Sequence, residues 1–229
     1  MQLTDAGMCL DVTTPIGEAT LSANVIGQFN AYNLLAVLAT LLASDVALAD
    51  AVKALSNIKP VAGRMQQCGG GEHPLIVVDY AHTPDALEQV LKSLRAQLTA
   101  NAELTCVFGC GGDRDASKRP LMAAAAESLA DHVVLTSDNP RSESPQAIVQ
   151  DMLAGLKMPQ RAHQEIDRAK AIAHVVKQAS ARDVILIAGK GHEDTQEIAG
   201  VKHAFDDRVH AHEALVRRAN CLPSMEAQA

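Results

Sequence analysis

Four short apolar runs constrain the fold of this chain more than any other feature. They are rich in Val, Ile and Leu, and each is followed by Gly, Pro, Asp or Asn and then by a helical pattern. Strands whose residues are apolar at every position, and not only at every second one, are buried on both faces. Strands that alternate with helices along the chain are typical of a mainly parallel sheet. An α/β fold is therefore predicted for the part of the chain that holds "LIVVDYA" (75–81), "LTCVFG" (104–109), "HVVLTS" (132–137) and "DVILIAG" (183–189).

Two of the following helices carry a clear start signal. Thr83 before Pro84, and Ser144 before Pro145, have the residue types of an N-cap and a first helical position. The sequence therefore predicts that these helices begin at Pro84 and Pro145.

The first part of the chain has a different pattern. Residues 1–27 alternate as short strands do, and residues 27–45 and 48–58 have helical spacing. Pro60 and Gly63 then break the pattern, so we place a domain boundary between 58 and 74 and predict domains 1–62 and 63–229. The final residues 222–229 are expected to be a frayed tail. The first helix is expected to be largely buried through Leu34, Leu35, Val37, Leu38, Leu41 and Leu42.

Composition excludes several function classes. The 229 residues are 48% hydrophobic, so the chain can bury a core. A net charge of -7 and only 2% aromatic residues disfavour nucleic acid as a partner, because phosphate binding needs a basic surface and base stacking needs aromatic rings. No apolar run reaches the roughly 20 residues of a membrane span. We therefore predict no nucleic-acid partner and no membrane association.

The cysteines argue for a reducing compartment. Cys9, Cys68, Cys106, Cys110 and Cys221 form an odd set without a CxxC pair, so neither a disulfide framework nor a structural zinc site is indicated. The start of the chain also lacks the basic and apolar regions of a signal peptide. A cytoplasmic protein is expected, and we expect a monomer with no metal held by this chain.

Polar clusters follow all four predicted strands. In open α/β sheets, ligands bind at the carboxyl ends of the strands, so these clusters are expected to form one site. The clusters are "DYAHTPD", "GCGGDRD", "SDNPR" and "AGKGHED".

Each cluster taken alone also has an ordinary structural interpretation. The glycines of "GCGGDRDASKRP" could admit an anion or simply form a turn, and Lys118 and Arg119 are expected at a helix start or at the surface. Asp79 could accept hydrogen bonds from ribose hydroxyls or could stabilise a loop or helix start. His82 could orient phosphate or satisfy the loop backbone. The sequence leaves these pairs of interpretations open.

Together, however, the clusters match one family in order and spacing. Between Leu3 and Leu215 the chain resembles the Mur ligases, and the resemblance is closest to members that use 2,6-diaminopimelate. Such enzymes use ATP to convert a carboxylate into an acyl phosphate, which the amine of an amino acid attacks to give an amide and ADP. The fold implied is a Rossmann-like, mainly parallel sheet preceded by the end of an α/β ATP-binding domain. The resemblance is carried by "GQFNAYNLLA", "GRM", "VVDYAHTPDAL", "VFGCGGDRD", "KRPLM", "DNPR" and "AGKGHE".

The resemblance also implies roles for individual residues. Those expected near ATP are Asn30, Asn33, Arg64, Asp79 and His82, with Asn33 favoured over Asn30 at the adenine and Asp79 at the ribose. Those expected to bind the incoming amino acid are Arg114, Asp138, Asn139, Arg141, Gly189 and Glu193.

The "DNPR" segment is expected to select the amino acid. The implied substrates are meso-2,6-diaminopimelate and UDP-N-acetylmuramoyl-L-alanyl-D-glutamate. The side chain of diaminopimelate ends in a carboxylate and an ammonium, and the guanidinium of Arg141 suits the carboxylate. Glu193 and the carbonyl of Gly189 suit the ammonium. Lysine lacks the distal carboxylate, so Arg141 would separate the two amino acids.

The chain also departs from the family pattern. It contains no GxxxxGK[ST] phosphate loop, and the resemblance places that loop, the Mg²⁺ site and the catalytic residues in a preceding segment. We therefore expect a C-terminal fragment of a peptidoglycan ligase that is inactive alone. The alternative is a non-catalytic module that binds an amino acid or a nucleotide. Relatives that act on folate or cyanophycin are disfavoured by "DNPR" and "AGKGHE".

Overall fold

The computed structural model describes residues 2–4 and 7–221, and the predicted frayed tail lies outside them. The chain divides into two compact units, Met1–Val61 and Ala62–Ala229. Whether the first unit is the end of an ATP-binding domain stays a prediction.

The first unit is a small antiparallel sheet with two helices. The strands pair in the order β1-β2-β3, and a turn at residues 14–17 joins the last two. Its core combines alternate residues of β2 and β3, such as Leu10 and Leu21, with Leu34, Ala51 and Leu55 of the helices. Its elements are β1 (Gln2–Thr4), β2 (Gly7–Thr14), β3 (Gly17–Ala23), α1 (Gln28–Ala43) and α2 (Leu48–Ser56).

The prediction that α1 is largely buried is wrong. Leu34 and Leu38 are 3% exposed, but Leu35 and Val37 are 39% and 47% exposed. The reason is geometric: α1 packs one face against the sheet, and residues one position apart in a helix point about 100° away from each other. Leucine content therefore predicted the helix but not how much of it is covered.

The second unit is built on a six-stranded sheet in the order β4-β5-β9-β6-β7-β8. Only β4 runs antiparallel to its neighbour, and the other pairs are parallel. The predicted α/β class with a mainly parallel sheet is confirmed. The strands are β4 (Gln66–Gly69), β5 (Leu75–Asp79), β6 (Leu104–Phe108), β7 (His132–Leu135), β8 (His163–Gln164) and β9 (Val184–Ala188), and a separate hairpin contains β10 (Thr195–Ile198) and β11 (Val201–Ala204).

The strand register explains why the polar clusters can meet. Asp79 pairs with Ala188, Ala188 pairs with Phe108, and Phe108 pairs with Leu135. The last residues of four parallel strands are thus aligned, so the segments that follow them leave the sheet at the same edge.

Helices cover both faces of this sheet. In β9 every residue is buried, which requires apolar cover on each side. The face formed by Ile185 and Ile187 packs with α6 and α7. The helices of this unit are α3 (Pro84–Arg95), α4 (Lys118–Leu129), α5 (Pro145–Leu153), α6 (Arg168–Gln178) and α7 (Asp207–Cys221), with a short 3-10 helix at Pro159–Arg161.

The predicted helix starts are also found in the structure. The hydroxyl of Thr83 accepts a hydrogen bond from the amide of Ala86, and that of Ser144 accepts one from the amide of Ala147. Both helices therefore begin at proline, where the missing N–H costs nothing.

The features that were not predicted include one strand of the main sheet and the hairpin. Strand β4 lies in the stretch interpreted as a domain boundary, because "QQCG" has no apolar alternation. The hairpin β10–β11 follows the last polar cluster, and its four exposed β11 residues carry no burial signal. In both cases pairing with a neighbouring strand supplies the order that sequence pattern does not. Among the described residues, no helix combines the length and apolarity that crossing a membrane requires.

Candidate functional site

A cavity of about 370 Å³ lies at the carboxyl edge of the sheet in the second unit. It is lined by all six residues that the family resemblance assigns to the incoming amino acid, namely Arg114, Asp138, Asn139, Arg141, Gly189 and Glu193. Sequence reasoning located this group because each member follows a strand of the same parallel sheet. Their roles in binding stay predictions.

The segment after β7 is held in place by the hairpin strand β10. The amide of Arg141 donates to the carbonyl of Glu197 at 3.0 Å, and the amide of Ala199 donates to the carbonyl of Arg141 at 2.7 Å. The side chain of Gln196 donates to the carbonyl of Asp138 at 2.6 Å. The loop is therefore hydrogen-bonded to the hairpin in much the same way as one strand of a sheet is bonded to the next.

The glycine-rich turn after β6 packs against the same loop. The amide of Gly112 donates to the carbonyl of Asn139 at 2.9 Å. A Cβ atom at Gly112 would overlap the carbonyl oxygen of Pro140, so only glycine allows this approach. Close packing therefore explains why this segment contains glycine, whether or not the segment binds an anion.

A buried lysine organises the acidic side of the cavity. Lys190 is fully buried, and its Nζ donates to Oδ1 of Asn139 at 3.1 Å and to Oε2 of Glu193 at 3.0 Å. The Nδ2 of Asn139 donates to the same Oε2 at 2.8 Å. Oδ1 of Asp138 lies 3.5 Å from Nζ of Lys190.

The two carboxyl groups of this cluster are shifted in opposite directions. Burial raises the pKa of Asp138, against the lowering effect of Arg168 and Lys190. Burial also acts to raise the pKa of Glu193, but hydrogen bonds from Asn139 and Lys190 outweigh it and the pKa is lowered. The groups that contact Glu193 therefore favour its ionised form.

Arginines line the other side of the cavity. Arg141 has φ 51°, a left-handed conformation that is uncommon outside glycine. Its Nη1 donates to the carbonyl of Gly112 at 2.7 Å, and its Nε lies 3.8 Å from Oε2 of Glu197. Arg114 is exposed, and its Nη1 donates to the carbonyl of Asp113 at 3.1 Å. Cationic and anionic groups thus share one cavity.

Arg119 lies at the start of α4, which is one of the two places expected for it. It is 3% exposed and bridges Glu143 and Asp151, at 2.8 Å to each, instead of lying at the surface. The hydrogen bond that its Nη2 donates to Glu143 is the first of several contacts that raise the pKa of this guanidinium. Arg119 therefore ties α4 to α5 and to the loop before α5, whereas Lys118 is exposed at the start of α4 as expected.

Three of the residues predicted near ATP lie in the second unit. The guanidinium of Arg64 lies 4.6 Å from the ring centroid of Tyr80, and the ring of His82 lies 4.6 Å from that of Tyr80. His82 also makes a 2.8 Å hydrogen bond to the carbonyl of Tyr80, and it lines the cavity. Together they form a cluster of one guanidinium and two aromatic rings, in which Arg64 and His82 are exposed.

Asp79 has a structural function in this site. Its two carboxylate oxygens accept hydrogen bonds from the amides of Met65 and Ala81, each at 2.8 Å. Burial raises its pKa and these hydrogen bonds act in the opposite direction. The structure therefore shows Asp79 stabilising the loop, and a contact of Asp79 with ribose stays a prediction.

The two remaining predicted residues lie in the first unit. Asn30 donates to the carbonyl of Ile26 at 2.7 Å, which fixes the start of α1. Asn33 is exposed one turn later and donates to Oδ1 of Asn30 at 3.4 Å. Both side chains are thus on α1, and their role near adenine stays a prediction.

Sequence reasoning missed three side chains that shape the cavity. Lys190 was noted only as part of a loop, and Gln196 and Glu197 received no interpretation. The signal for Lys190 was its position between two glycines, where a long side chain can turn back under the loop. Nothing in the sequence pointed to Gln196 or Glu197, because their contacts are with residues more than 50 positions away.

Among the described residues, no group of three His, Cys, Asp or Glu side chains is arranged to hold a metal ion. Two acidic groups of the cavity, Asp138 and Glu193, already face the ammonium of Lys190.

Comparison with known families fits this arrangement. The family model for "Mur ligase, glutamate ligase domain" matches residues 63–191, which is more than half of the chain and includes every element that contributes to the cavity up to Gly191. The chain belongs to the Mur ligase family. The prediction of that family is confirmed.

The relatives of this Mur ligase chain are longer than it is. The UDP-N-acetylmuramoyl-L-alanyl-D-glutamate–2,6-diaminopimelate ligase of Chromobacterium violaceum is 56% identical over 209 residues, which are 91% of this chain and 42% of the relative. The ligase of the same name from Ectopseudomonas mendocina is 53% identical over 214 residues, 93% of this chain and 44% of the relative. The chain thus spans about two fifths of these proteins.

Solved structures show the same fold. A structure of a UDP-N-acetylmuramoyl-L-alanyl-D-glutamate–2,6-diaminopimelate ligase matches with a TM-score of 0.73 and 44% identity, over 95% of this chain and 44% of that one. The UDP-N-acetylmuramate-alanine ligase of Thermotoga maritima matches with a TM-score of 0.63 and 22% identity, over 88% of this chain and 40% of that one. The second match supports the fold alone.

Proposed function

We propose that this chain is the amino-acid-binding part of an ATP-dependent ligase of peptidoglycan precursor synthesis. The ligase adds meso-2,6-diaminopimelate to UDP-N-acetylmuramoyl-L-alanyl-D-glutamate through an acyl phosphate and releases ADP and phosphate. The proposal is supported by relatives of that name at more than 50% identity over most of this chain. The protein acts in the cytoplasm, where both substrates are expected.

The observation that carries the proposal is the division of charge in the cavity. Arg114 and Arg141 line it together with Asp138 and Glu193. The free end of diaminopimelate presents a carboxylate and an ammonium side by side, so it needs one cationic and one anionic partner at a short separation. Arg141 receives the carboxylate, and Glu193 with the carbonyl of Gly189 receives the ammonium.

Binding of the free end orients the amine that reacts. With carboxylate and ammonium both held, the amino acid loses its rotational freedom before the chemical step, which lowers the entropy that the transition state would otherwise cost. Asn139 supports this geometry because its amide links Lys190 to Glu193.

ATP fits the residues of the second unit, whereas the described residues show no group arranged to hold Mg²⁺. Arg64 and His82, both close to the ring of Tyr80, supply the cationic and aromatic groups that hold phosphate and base in many nucleotide sites. ATP supplies the phosphoryl group that activates the substrate carboxylate. The described residues offer no metal cluster, so no step of this proposal involves a metal held by them.

The first test is amino-acid binding by the chain itself. Isothermal titration with meso-diaminopimelate, L-lysine and L,L-diaminopimelate would rank the three ligands. We expect meso-diaminopimelate to bind more tightly than lysine because only the former places a carboxylate at Arg141.

The second test restores a full-length context. A chimera would join the unmatched part of the Chromobacterium violaceum ligase to this chain, and ATP-dependent product formation would be measured with each amino acid. Ligation of diaminopimelate in preference to lysine supports the proposal. Binding without any ligation by the chimera would favour the non-catalytic module instead.

A further inference from the structure

Lys190 is the only lysine among the described residues with a fully buried side chain, and it lies beneath the proposed amino-acid cavity. It follows β9 and lies between Gly189 and Gly191, both of which have positive φ. These glycines let the backbone turn sharply, so the lysine side chain reaches the cavity wall instead of solvent.

The ammonium of Lys190 contacts three members of the cavity at once. It donates to Asn139 at 3.1 Å and to Glu193 at 3.0 Å, and it lies 3.5 Å from Asp138. A buried ammonium is costly unless it is paired and hydrogen-bonded, and here the partners are the groups proposed to bind substrate. The lysine is thus positioned to control their charge and orientation.

The hydrogen-bond pattern fixes the amide of Asn139. Its oxygen accepts from Nζ of Lys190 and from the amide of Glu197, at 3.1 and 3.0 Å, and both of these groups are donors. Its nitrogen must therefore face Glu193, where it donates at 2.8 Å. Oε2 of Glu193 therefore accepts hydrogen bonds from both an amide nitrogen and an ammonium. An ionised carboxylate is suited to this because its oxygens act only as acceptors.

We propose that Lys190 is a positioning residue for amino-acid recognition: it keeps Glu193 ionised and fixes the Asn139 amide, so that Glu193 offers its remaining oxygen to the ligand ammonium. This inference rests on the proposed function. Lys190 itself touches no ligand, because it lies behind Glu193 and Asn139.

Removing the lysine charge leaves two carboxyl groups that are close to each other. Asp138 and Glu193 both lie within 3.5 Å of the same nitrogen, so without it they compete for one proton. The other charged groups that act on the pair remain in such a variant, and they are Arg168, Asp207 and Arg141. Arg168 is already paired with Asp207, so it does not replace the lysine.

The first experiment measures the charge state directly in the 229-residue chain. Carboxyl ¹³C chemical shifts of Glu193 would be followed by NMR against pH in the wild type, in Lys190→Met and in Lys190→Gln. Glutamine can still donate to Glu193 but carries no charge, which separates charge from hydrogen bonding. It also provides a second variant if methionine impairs folding.

We expect the titration midpoint of Glu193 to move upward in both variants. Lys177→Met, which removes an exposed lysine of α6, is the matched control and should leave the midpoint unchanged. An unchanged midpoint in folded Lys190→Gln would overturn the proposal, whether or not the chain binds any amino acid.

The second experiment measures affinity for meso-diaminopimelate at pH 6.5 and 8.5. In the wild type the affinity should be nearly constant, whereas in the Lys190 variants it should fall roughly threefold to tenfold at the lower pH, because a protonated Glu193 no longer attracts an ammonium. A loss that is equal at both pH values would indicate a merely structural lysine and would contradict the proposal.

The two experiments also separate this inference from the proposed function. If the wild type binds no diaminopimelate while the Glu193 midpoint still moves, the proposed ligand is wrong, and the role of Lys190 is limited to setting the charge of Glu193. If the wild type binds and the variants bind equally well at both pH values, the inference fails and the proposed function stands.

Discussion

Arg141 combines an unusual backbone with an incompletely paired side chain. Its left-handed φ costs about 1 kcal/mol or more for a residue with a Cβ, and backbone hydrogen bonds with Glu197 of β10 and with Ala199 of the following turn hold it there. Its guanidinium donates one short hydrogen bond, of 2.7 Å, to the carbonyl of Gly112 and lies 3.8 Å from the carboxylate of Glu197. Donors that remain available in a cavity are suited to a ligand carboxylate.

We expect Arg141→Ala to weaken use of diaminopimelate by about 2 to 4 kcal/mol in the transition state, the scale for losing a charged partner in a desolvated site. Use of lysine should fall much less, because lysine has no distal carboxylate. The measurement is kcat/KM of the chimera with both amino acids. Alanine keeps the Cβ, so the backbone strain is unchanged.

The matched control is Arg182→Ala, in the exposed turn before β9 at the opposite edge of the sheet. If Arg141→Ala reduced kcat/KM equally for both amino acids and also lowered Tm, Arg141 would be a structural residue that ties the loop to Gly112 and Glu197.

At the scale of elements, the hairpin β10–β11 supports the loop that follows β7. It contacts Asp138, Asn139 and Arg141 of that loop through Gln196 and Glu197 of β10 and Ala199 of the hairpin turn. The hairpin has little core of its own, since β11 is exposed throughout. Its order therefore depends on the loop, and the order of the loop depends on it.

Gln196→Ala is expected to destabilise this pairing by about 1 to 3 kcal/mol, because the carbonyl of Asp138 is left without its buried donor. Hydrogen exchange of the Arg141 and Ala199 amides would report the loosened pairing, and amino-acid affinity should fall with it. Gln178→Ala at the exposed end of α6 is the control. Unchanged exchange at both amides would show that the hairpin does not hold the loop.

Helices α6 and α7 are joined by a buried ion pair. Arg168 and Asp207 have fully buried side chains, and Nε and Nη2 of the arginine donate to the two carboxylate oxygens at 2.7 and 2.8 Å. The same arginine donates to the carbonyls of Ala188 and Ser137 at the ends of the strands. The pair thus connects two helices to the edge of the sheet that carries the cavity.

We expect Arg168→Leu to lower the free energy of unfolding by about 3 to 5 kcal/mol, because Asp207 is left buried and unpaired. Adding Asp207→Leu should recover part of this loss, since no lone charge remains. Urea unfolding of both variants would test this, with Arg182→Leu as an exposed control. A double variant less stable than Arg168→Leu would show that the carboxylate contributes through contacts other than the pair.

At the scale of the whole molecule, the chain provides the proposed amino-acid cavity but no phosphate loop of the GxxxxGK[ST] type. Phosphoryl transfer depends on positioning the γ-phosphate and on stabilising its charge. We therefore expect the purified 229-residue chain to release no ADP from ATP above background. The chimera, assayed in parallel, is the positive control, and Mg²⁺-dependent ADP release that persists after repurification of the chain would contradict this prediction.

Four parallel strands, two helix starts and the main members of the cavity could be predicted from the sequence. Continuous apolar runs such as residues 184–188 are recognisable because a strand buried on both faces is apolar at nearly every position. Residues at the carboxyl ends of parallel strands must share an edge, so their proximity follows from the fold class alone. That is why Asn139, Arg141 and Glu193 could be grouped without coordinates.

Other features were decided only by the tertiary structure. The exposed face of α1, the strand β4 and the hairpin β10–β11 depend on which surfaces are paired or covered, and local pattern does not record that. The burial of Arg119 and Lys190 could not be predicted from the sequence either. A long cationic side chain is usually exposed, and it is buried only where carboxylates and carbonyls from distant parts of the chain accept its hydrogen bonds. The sequence determined which groups reach the cavity edge, and long-range contacts determined which of them are paired and which remain available to a ligand.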